Sequence, residues 1–274
     1  IVDPFEAAQL KKLKERADAV RNIRTTLDRS DEDGMPRQLL GIDTSNPRVT
    51  AIVAQGNVDT AKHIGVIVPG MHTNVADNLD DYDYDVRKHA HGEEVAMVSY
   101  LGYDAPQNVI EVASIKKANA GAKQLAGFFN GMHASREYGA GDAHVTAVTH
   151  SYGSTTGGKA LTMIDEGAVD DLIQFGSPGS GVQDVSELKI PKGHAWVSAT
   201  TRWQDMVQGI GDDGRYGKNP AKMPGYNHLS GDVGHGKGWF VPFRKHSSYF
   251  NEGSEALDDI SKVVAGRGVP RSTR

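Results

Sequence analysis

Residues 144–165 place a β-branched run, His144-Val145-Thr146-Ala147-Val148-Thr149, directly before His150-Ser151-Tyr152-Gly153 and a helix expected over Ser154–Asp165. A strand that passes at once into a helix cannot turn back as a hairpin. It commits the chain to a crossover and hence to parallel strands covered by helices. The same rhythm continues on both sides of it. Strands are expected at Val95–Tyr100, Leu172–Phe175 and His194–Thr200, and helices at 111–134 and 254–264. Upstream, the runs Val49–Ala54 and His63–Val68 are joined by a short Gly-Asn turn and predict an antiparallel hairpin. Residues 4–29 predict a helix, with Pro4 in its first turn and Leu10, Leu13, Ala17, Val20 and Leu27 recurring at helical spacing before Ser30–Gly34 breaks it. The expected fold is α/β, with a mostly parallel central sheet, helices on both faces and an added N-terminal helix.

The 274 residues divide by this reading into an N-terminal helical segment, 1–34, and one domain, 35–274. A hydrophobic content of 38% is enough for a full core. The net charge of -5 argues against binding nucleic acid through bulk charge, which needs a basic surface. The absence of cysteine removes disulfides, thiol catalysis and cysteine zinc sites together. No run approaches the roughly 18 apolar residues of a spanning helix. The chain opens on Ile1 without an apolar leader, which reads as a processed piece, possible as part of a larger secreted protein, with a cytoplasmic setting equally open. Residues 208–238 hold nine glycines and little periodicity, and 208–243 is the expected lid or specificity loop.

The chemistry is expected at His150-Ser151-Tyr152-Gly153. A serine on a sharp strand-to-helix turn has its hydroxyl pushed out at the C-terminal edge of the sheet, beside the unpaired N–H groups that open the helix. Thr149 stands where the usual pattern has glycine, so a side chain has to fit beneath the turn. Two rival motifs overlap or follow. Gly153-Ser154-Thr155-Thr156-Gly157-Gly158-Lys159 matches the spacing of a phosphate-binding loop, but Ala160 replaces the magnesium-binding hydroxyl. Gly176-Ser177-Pro178-Gly179 repeats the elbow spacing, but Pro178 has no N–H to offer an oxyanion. A serine nucleophile needs a base and an orienting acid, here expected in the order Ser, acid, His. His246 is the favoured base, with His235 and His228 behind it. Asp205 is the favoured acid, ahead of Asp212, Asp213 and Asp232. The loop Val68-Pro69-Gly70-Met71 follows a central strand and is expected to supply a second oxyanion donor from Met71, beside that of Tyr152. His72, Trp239 and Phe240 are expected to contact substrate.

These blocks together resemble the α/β-hydrolase superfamily, and within it a mainly actinobacterial family catalogued as a domain of unknown function. The resemblance rests on Val-Pro-Gly-Met at 68–71, His-Ser-Tyr-Gly-Ser at 150–154, Gly-Ser-Pro-Gly at 176–179, the Asp205 region and His-Ser-Ser-Tyr at 246–249. It spans roughly residues 40–265. It implies a Ser151–Asp205–His246 triad and an esterase- or lipase-like activity that needs no cofactor. The expected partner is a small-molecule or lipid ester. The readings from other classes are a non-catalytic binding module on the same fold, and an effector or toxin module of a larger secreted protein.

Two metal readings complete the set. Asp81-x-Asp83-x-Asp85 resembles the start of a calcium loop, but Val86 and Gly92 occupy the places of its glycine and closing acid. Among the upstream histidines His63, His72, His89 and His91, the pair His89-x-His91 could bind zinc if a third ligand came from elsewhere, and nothing marks one. No metal is expected.

Overall fold

The computed structural model describes residues 3–29, 34–71, 73–87, 94–108, 111, 114–198, 212–229 and 255–267, with backbone alone at 82–87 and 255–257. The elements in chain order are α1 (Pro4–Asp28), β1 (Arg37–Asp43), β2 (Thr50–Gln55), β3 (His63–Val68), α2 (Val75–Arg87), β4 (Val95–Leu101), α3 (Lys116–Glu137) and β5 (His144–His150). They continue with α4 (Tyr152–Leu161), β6 (Asp171–Phe175), β7 (Ala195–Ser198), the one-turn α5 (Asp213–Tyr216), β8 (Asn227–His228) and α6 (Glu255–Val264).

Among the described residues, eight strands form one sheet in the order β1-β2-β4-β3-β5-β6-β7-β8. From β4 to β8 every neighbouring pair is parallel, and only β1–β2 and β2–β4 are antiparallel. The predicted hairpin of β2 and β3 is therefore corrected. The two strands do run in opposite directions, but β4 lies between them. The link Gly56–Lys62 is long enough to step over a strand, since two inter-strand spacings are only about 10 Å. β4 is buried along nearly its whole length, so it is stable only with a neighbour on each side. β1 supplies the outer edge instead. Its mixed sequence and the bulge between Leu39 and Gly41 gave no alternating signal to read.

The two faces of the sheet are covered by different helices. On one face Val66, Val68, Val98, Val145 and Ala147 join Leu125, Phe129, Ala160 and Leu161 from α3 and α4 in the main core. On the other face Ile67, Met97, Val148, Ile173 and Phe175 pack against Ile260, Val263 and Val264 of α6. Farther along that face, Ala51, Val53 and Leu101 meet Val75 and Leu79 of α2 and Ala19 and Ile23 of α1. The buried line Ala118, Ala122, Leu125, Phe129 and Met132 explains why α3 forms here, since it repeats every three or four residues. The Asp-rich segment forms α2, so it is a helix and not the open loop that the calcium reading needs.

Candidate active site

The site begins where β5 ends. Ser151 has φ 53° and ψ -129°, and it is the one described residue other than glycine with a positive φ. Such a conformation costs about 1–3 kcal/mol and persists only where the surroundings impose it. Its N–H donates to the Phe175 carbonyl at 3.0 Å, and its own carbonyl accepts from Ser154 N at 2.9 Å. These bonds tie the turn to β6 on one side and to the first turn of α4 on the other.

Glycines let the backbones close around this turn. A Cβ at Gly70 would lie 2.6 Å from Ser151 Cβ and 3.1 Å from its Oγ. The loop after β3 therefore runs directly against the serine. A Cβ at Gly153 would lie 2.4 Å from the Pro69 carbonyl oxygen. Tyr103 donates its hydroxyl to that same oxygen at 2.6 Å and holds the loop in place.

Thr149 fits beneath the elbow for two reasons. Its Oγ1 donates to the Ile173 carbonyl at 3.0 Å, so the buried hydroxyl is satisfied. Its methyl group faces Gly157, where a Cβ would come within 2.5 Å of Thr149 Cγ2. The volume added at Thr149 is thus removed one turn into α4. This also settles the phosphate-loop reading. Gly153, Gly157 and Gly158 lie inside α4 and serve close helix packing; a Cβ at Gly158 would overlap the Ser180 carbonyl oxygen at 1.6 Å.

Tyr152 opens α4, so its N–H is one of those in the first turn that lack an intrahelical partner. Its phenol reaches away to the start of α3, accepting from Ala118 N at 3.0 Å and donating to the Ser114 carbonyl at 2.9 Å. Burial pushes this phenol up to about 12, so it stays protonated and serves both bonds. Ala118, Tyr152 and Tyr216 form one buried cluster against which Met71 and Ile115 pack. The two expected oxyanion donors therefore belong to residues held by a common cluster. This anchoring role of the Tyr152 ring was not read from the sequence, where a tyrosine after the serine has no distinguishing pattern.

The competing serine is engaged elsewhere. Ser177 donates its hydroxyl to the Gly179 carbonyl at 2.9 Å. Asp212, an alternative acid, caps α5 by accepting from Gly214 N at 2.7 Å. His194 lies at the opposite, N-terminal edge of the sheet, where it contacts Asp171 at 3.0 Å. Asp205, His246, His72, Trp239 and Phe240 lie outside the described residues. Of the expected lid, 212–229 is described: it carries α5 and β8, and buried Tyr226 donates to Gln174 Oε1 at 2.9 Å. No group of three or more metal-ligating side chains occurs among the described residues.

A second polar cluster, missed by sequence reading, lies under the N-terminal edge. Asp171 is buried and accepts from Trp196 Nε1 at 2.7 Å and from His194 Nδ1 at 3.0 Å on one oxygen. Its other oxygen meets His144 Nε2 at 2.7 Å, while His144 Nδ1 faces the Val264 carbonyl, the end of α6, at 3.3 Å. Both partners of His144 are acceptors, so the arrangement favours the doubly protonated ring. The hydrogen bond to Asp171 accordingly raises His144 above the ordinary histidine value. Burial works to raise Asp171, but hydrogen bonds from His144 and Trp196 hold it below the usual carboxylate range. His63 packs edge-on against His144 at 5.5 Å and is lowered by burial first and by the neighbouring charge second.

A mostly parallel sheet covered on both faces, with a serine in a strained strand-to-helix turn at its C-terminal edge, defines the α/β-hydrolase class. The profile of the alpha/beta hydrolase family matches residues 44–212, and the chain belongs to that family. An uncharacterized protein of Mycobacterium tuberculosis is 32% identical over 212 residues, covering 72% of this chain and 77% of the relative. A second uncharacterized protein of the same organism is 30% identical over 246 residues, covering 80% of this chain and 37% of the relative. Similar solved structures include a dienelactone hydrolase from Anabaena variabilis, at 11% identity and TM-score 0.49 over 85% of this chain and 96% of that one. Another is a cold-adapted esterase from an Arctic intertidal metagenomic library, at 10% identity and TM-score 0.46 over 83% and 93%.

Proposed function

We propose that this chain is a serine ester hydrolase that works through an acyl-enzyme, with Ser151 as nucleophile. The observation that carries the reading is the backbone of Ser151. A non-glycine residue at φ 53° is costly, and here it coincides with the start of α4 and contact from Gly70. In this scheme His246 takes the Ser151 proton as Oγ attacks the ester carbonyl, and later returns a proton to the leaving alcohol. Asp205 holds the imidazole in its tautomer. The N–H groups of Met71 and Tyr152 receive the oxyanion, each contributing about 2.7–4 kcal/mol at the transition state. Water then releases the acid. His72, Trp239 and Phe240 are proposed to line the acyl site, with 208–243 as its lid or specificity loop. The substrate class is an acyl or lipid-like ester.

Intact-mass spectrometry after a fluorophosphonate probe tests the nucleophile. A single adduct is expected on the native protein and on Ser177→Ala, and none on Ser151→Ala. An adduct that survives in Ser151→Ala, or no adduct on the folded native protein, overturns the reading and leaves a non-catalytic module on this fold.

A further inference from the structure

The path of the loop that carries Met71 is not fixed by β3 alone. Pro69 has no N–H, so its carbonyl is the one backbone group by which it can be held. Gly70 follows, and glycine has the freest torsions of any residue. The course of the chain through Met71 therefore depends on bonds made on either side of it. Two such bonds come from the segment that follows β4. Tyr103 donates its hydroxyl to the Pro69 carbonyl at 2.6 Å. Gln107 Nε2 donates to the Thr73 carbonyl at 3.0 Å, and its Oε1 accepts from Asn74 Nδ2 at 3.3 Å. Gly70 and Met71 lie between these anchors. A peptide unit is planar, so fixing the direction of the Pro69 carbonyl also fixes the plane on which Gly70 begins.

The Tyr103 hydroxyl is not needed for packing. The ring is buried in the main core against Gly121 of α3, where a Cβ would come within 2.6 Å of Tyr103 Cδ2. Phe would fill the same space without a polar atom to bury. The same stretch of chain also reaches the second expected donor, since Ser114 and Ala118 hold the Tyr152 phenol. Lys117 braces it, meeting Asp104 at 2.7 Å and Glu111 at 2.9 Å. Glu111 in turn accepts from Gln107 N at 2.8 Å. One braced segment thus bears on both residues expected to hold the oxyanion.

We propose that Tyr103 and Gln107 are positioning residues for ester hydrolysis, which aim the Met71 N–H at the oxyanion by holding the carbonyls of Pro69 and Thr73. The proposal rests on the hydrolase reading and adds two residues that act through the loop. An oxyanion donor works on the transition state more than on bound substrate, so displacing it lowers kcat and spares KM. Removing one donor outright costs about 10²–10³ in kcat, and displacing it costs part of that.

The test is steady-state hydrolysis of p-nitrophenyl acetate by the full chain, native and as Tyr103→Phe and Gln107→Met, with a thermal melt of each. Each variant is expected to lose roughly ten-fold or more in kcat. KM and the low-pH midpoint of kcat should stay unchanged, because the base is untouched. Native kcat in either folded variant overturns the role of that residue. A fall in kcat matched by a rise in KM and a lowered melt also overturns it, since the bond then serves the fold alone. Gln107 is half-buried, and Gln107→Met keeps the Tyr103 ring in the core, so this variant carries the test where Tyr103→Phe does not fold. The hydrolase reading fails separately, on the native protein: neither turnover nor a fluorophosphonate adduct there overturns both.

Discussion

Thr149 and Gly157 act as one unit at the residue scale. An alanine in a helix is ordinarily better than glycine by about 0.5–1 kcal/mol. At Gly157 the sign reverses, because the added Cβ comes within 2.5 Å of a buried threonine methyl that has no free space to enter. Gly157→Ala is expected to cost about 1–3 kcal/mol in urea unfolding. The same substitution in a Thr149→Ala background should cost much less, since the nearest remaining atom is Thr149 Cβ at 3.4 Å. Additive losses in this double-mutant cycle would contradict the steric account. Gly70 and Ser151 form the second such pair. Gly70→Ala would place a methyl 3.1 Å from Ser151 Oγ, so fluorophosphonate labelling should slow at least ten-fold while far-ultraviolet circular dichroism stays native. Labelling at the native rate would show that the loop can retreat. The elbow itself was readable because a β-branched strand, a serine and small residues adjoin in sequence. The compensation of Thr149 by Gly157 was not, since it exists only once α4 has closed over the end of β5.

The informative contact at the element scale is the tether between β5, β6 and the end of α6. His144 donates to both Asp171 and Val264, so its proton holds the last turn of α6 to the sheet, where a helix end also favours a cation. Its folded value is raised, so the stabilisation is complete below the unfolded value near 6.5 and is lost as pH rises through the folded value. Asp171 has the opposite sign: depressed in the fold, it contributes above about pH 4 and fails as pH falls through its lowered value. His63 is lowered and so opposes stability only below about 6.5. The window that isolates His144 therefore begins above pH 6.5. Urea midpoints should fall as pH rises from 6.5 to 9, and His144→Gln should flatten that slope. An unchanged slope in His144→Gln would assign the titration elsewhere. None of this cluster was legible beforehand. His144, Asp171 and His194 are far apart in sequence, and only parallel register brings the starts of β5, β6 and β7 together. The hairpin misreading has the same origin: a short link limits how far two strands can separate, but it does not fix which strand lies between them.

For the whole molecule, the parallel strands carry the strained serine at one end and a titrating tether at the other. Ser151 is at the C-terminal edge, and the His144–Asp171 tether is at the N-terminal edge. Sequence made the first edge legible, because motifs mark chemistry, and left the second dark, because tethers have no motif. If His246 is the base, kcat/KM rises with pH through about 6–7 as the imidazole becomes neutral. The tether weakens as pH rises through the elevated value of His144. It fastens α6, and α6 begins nine residues after His246, so loosening its far end frees the element that follows the proposed base. The low-pH limb of activity should thus be immediate and reversible, and the high-pH limb should develop with time. Initial rates on a short acyl ester, read directly after a jump to pH 9, are expected to match the plateau. Rates read after incubation at pH 9 near the unfolding midpoint should decline, faster than at pH 7. In His144→Gln the low-pH limb should keep its midpoint, while the time-dependent loss should become nearly equal at pH 7 and pH 9. A high-pH loss already complete at the first reading would show that a group in the site, and not the tether, sets the upper limb.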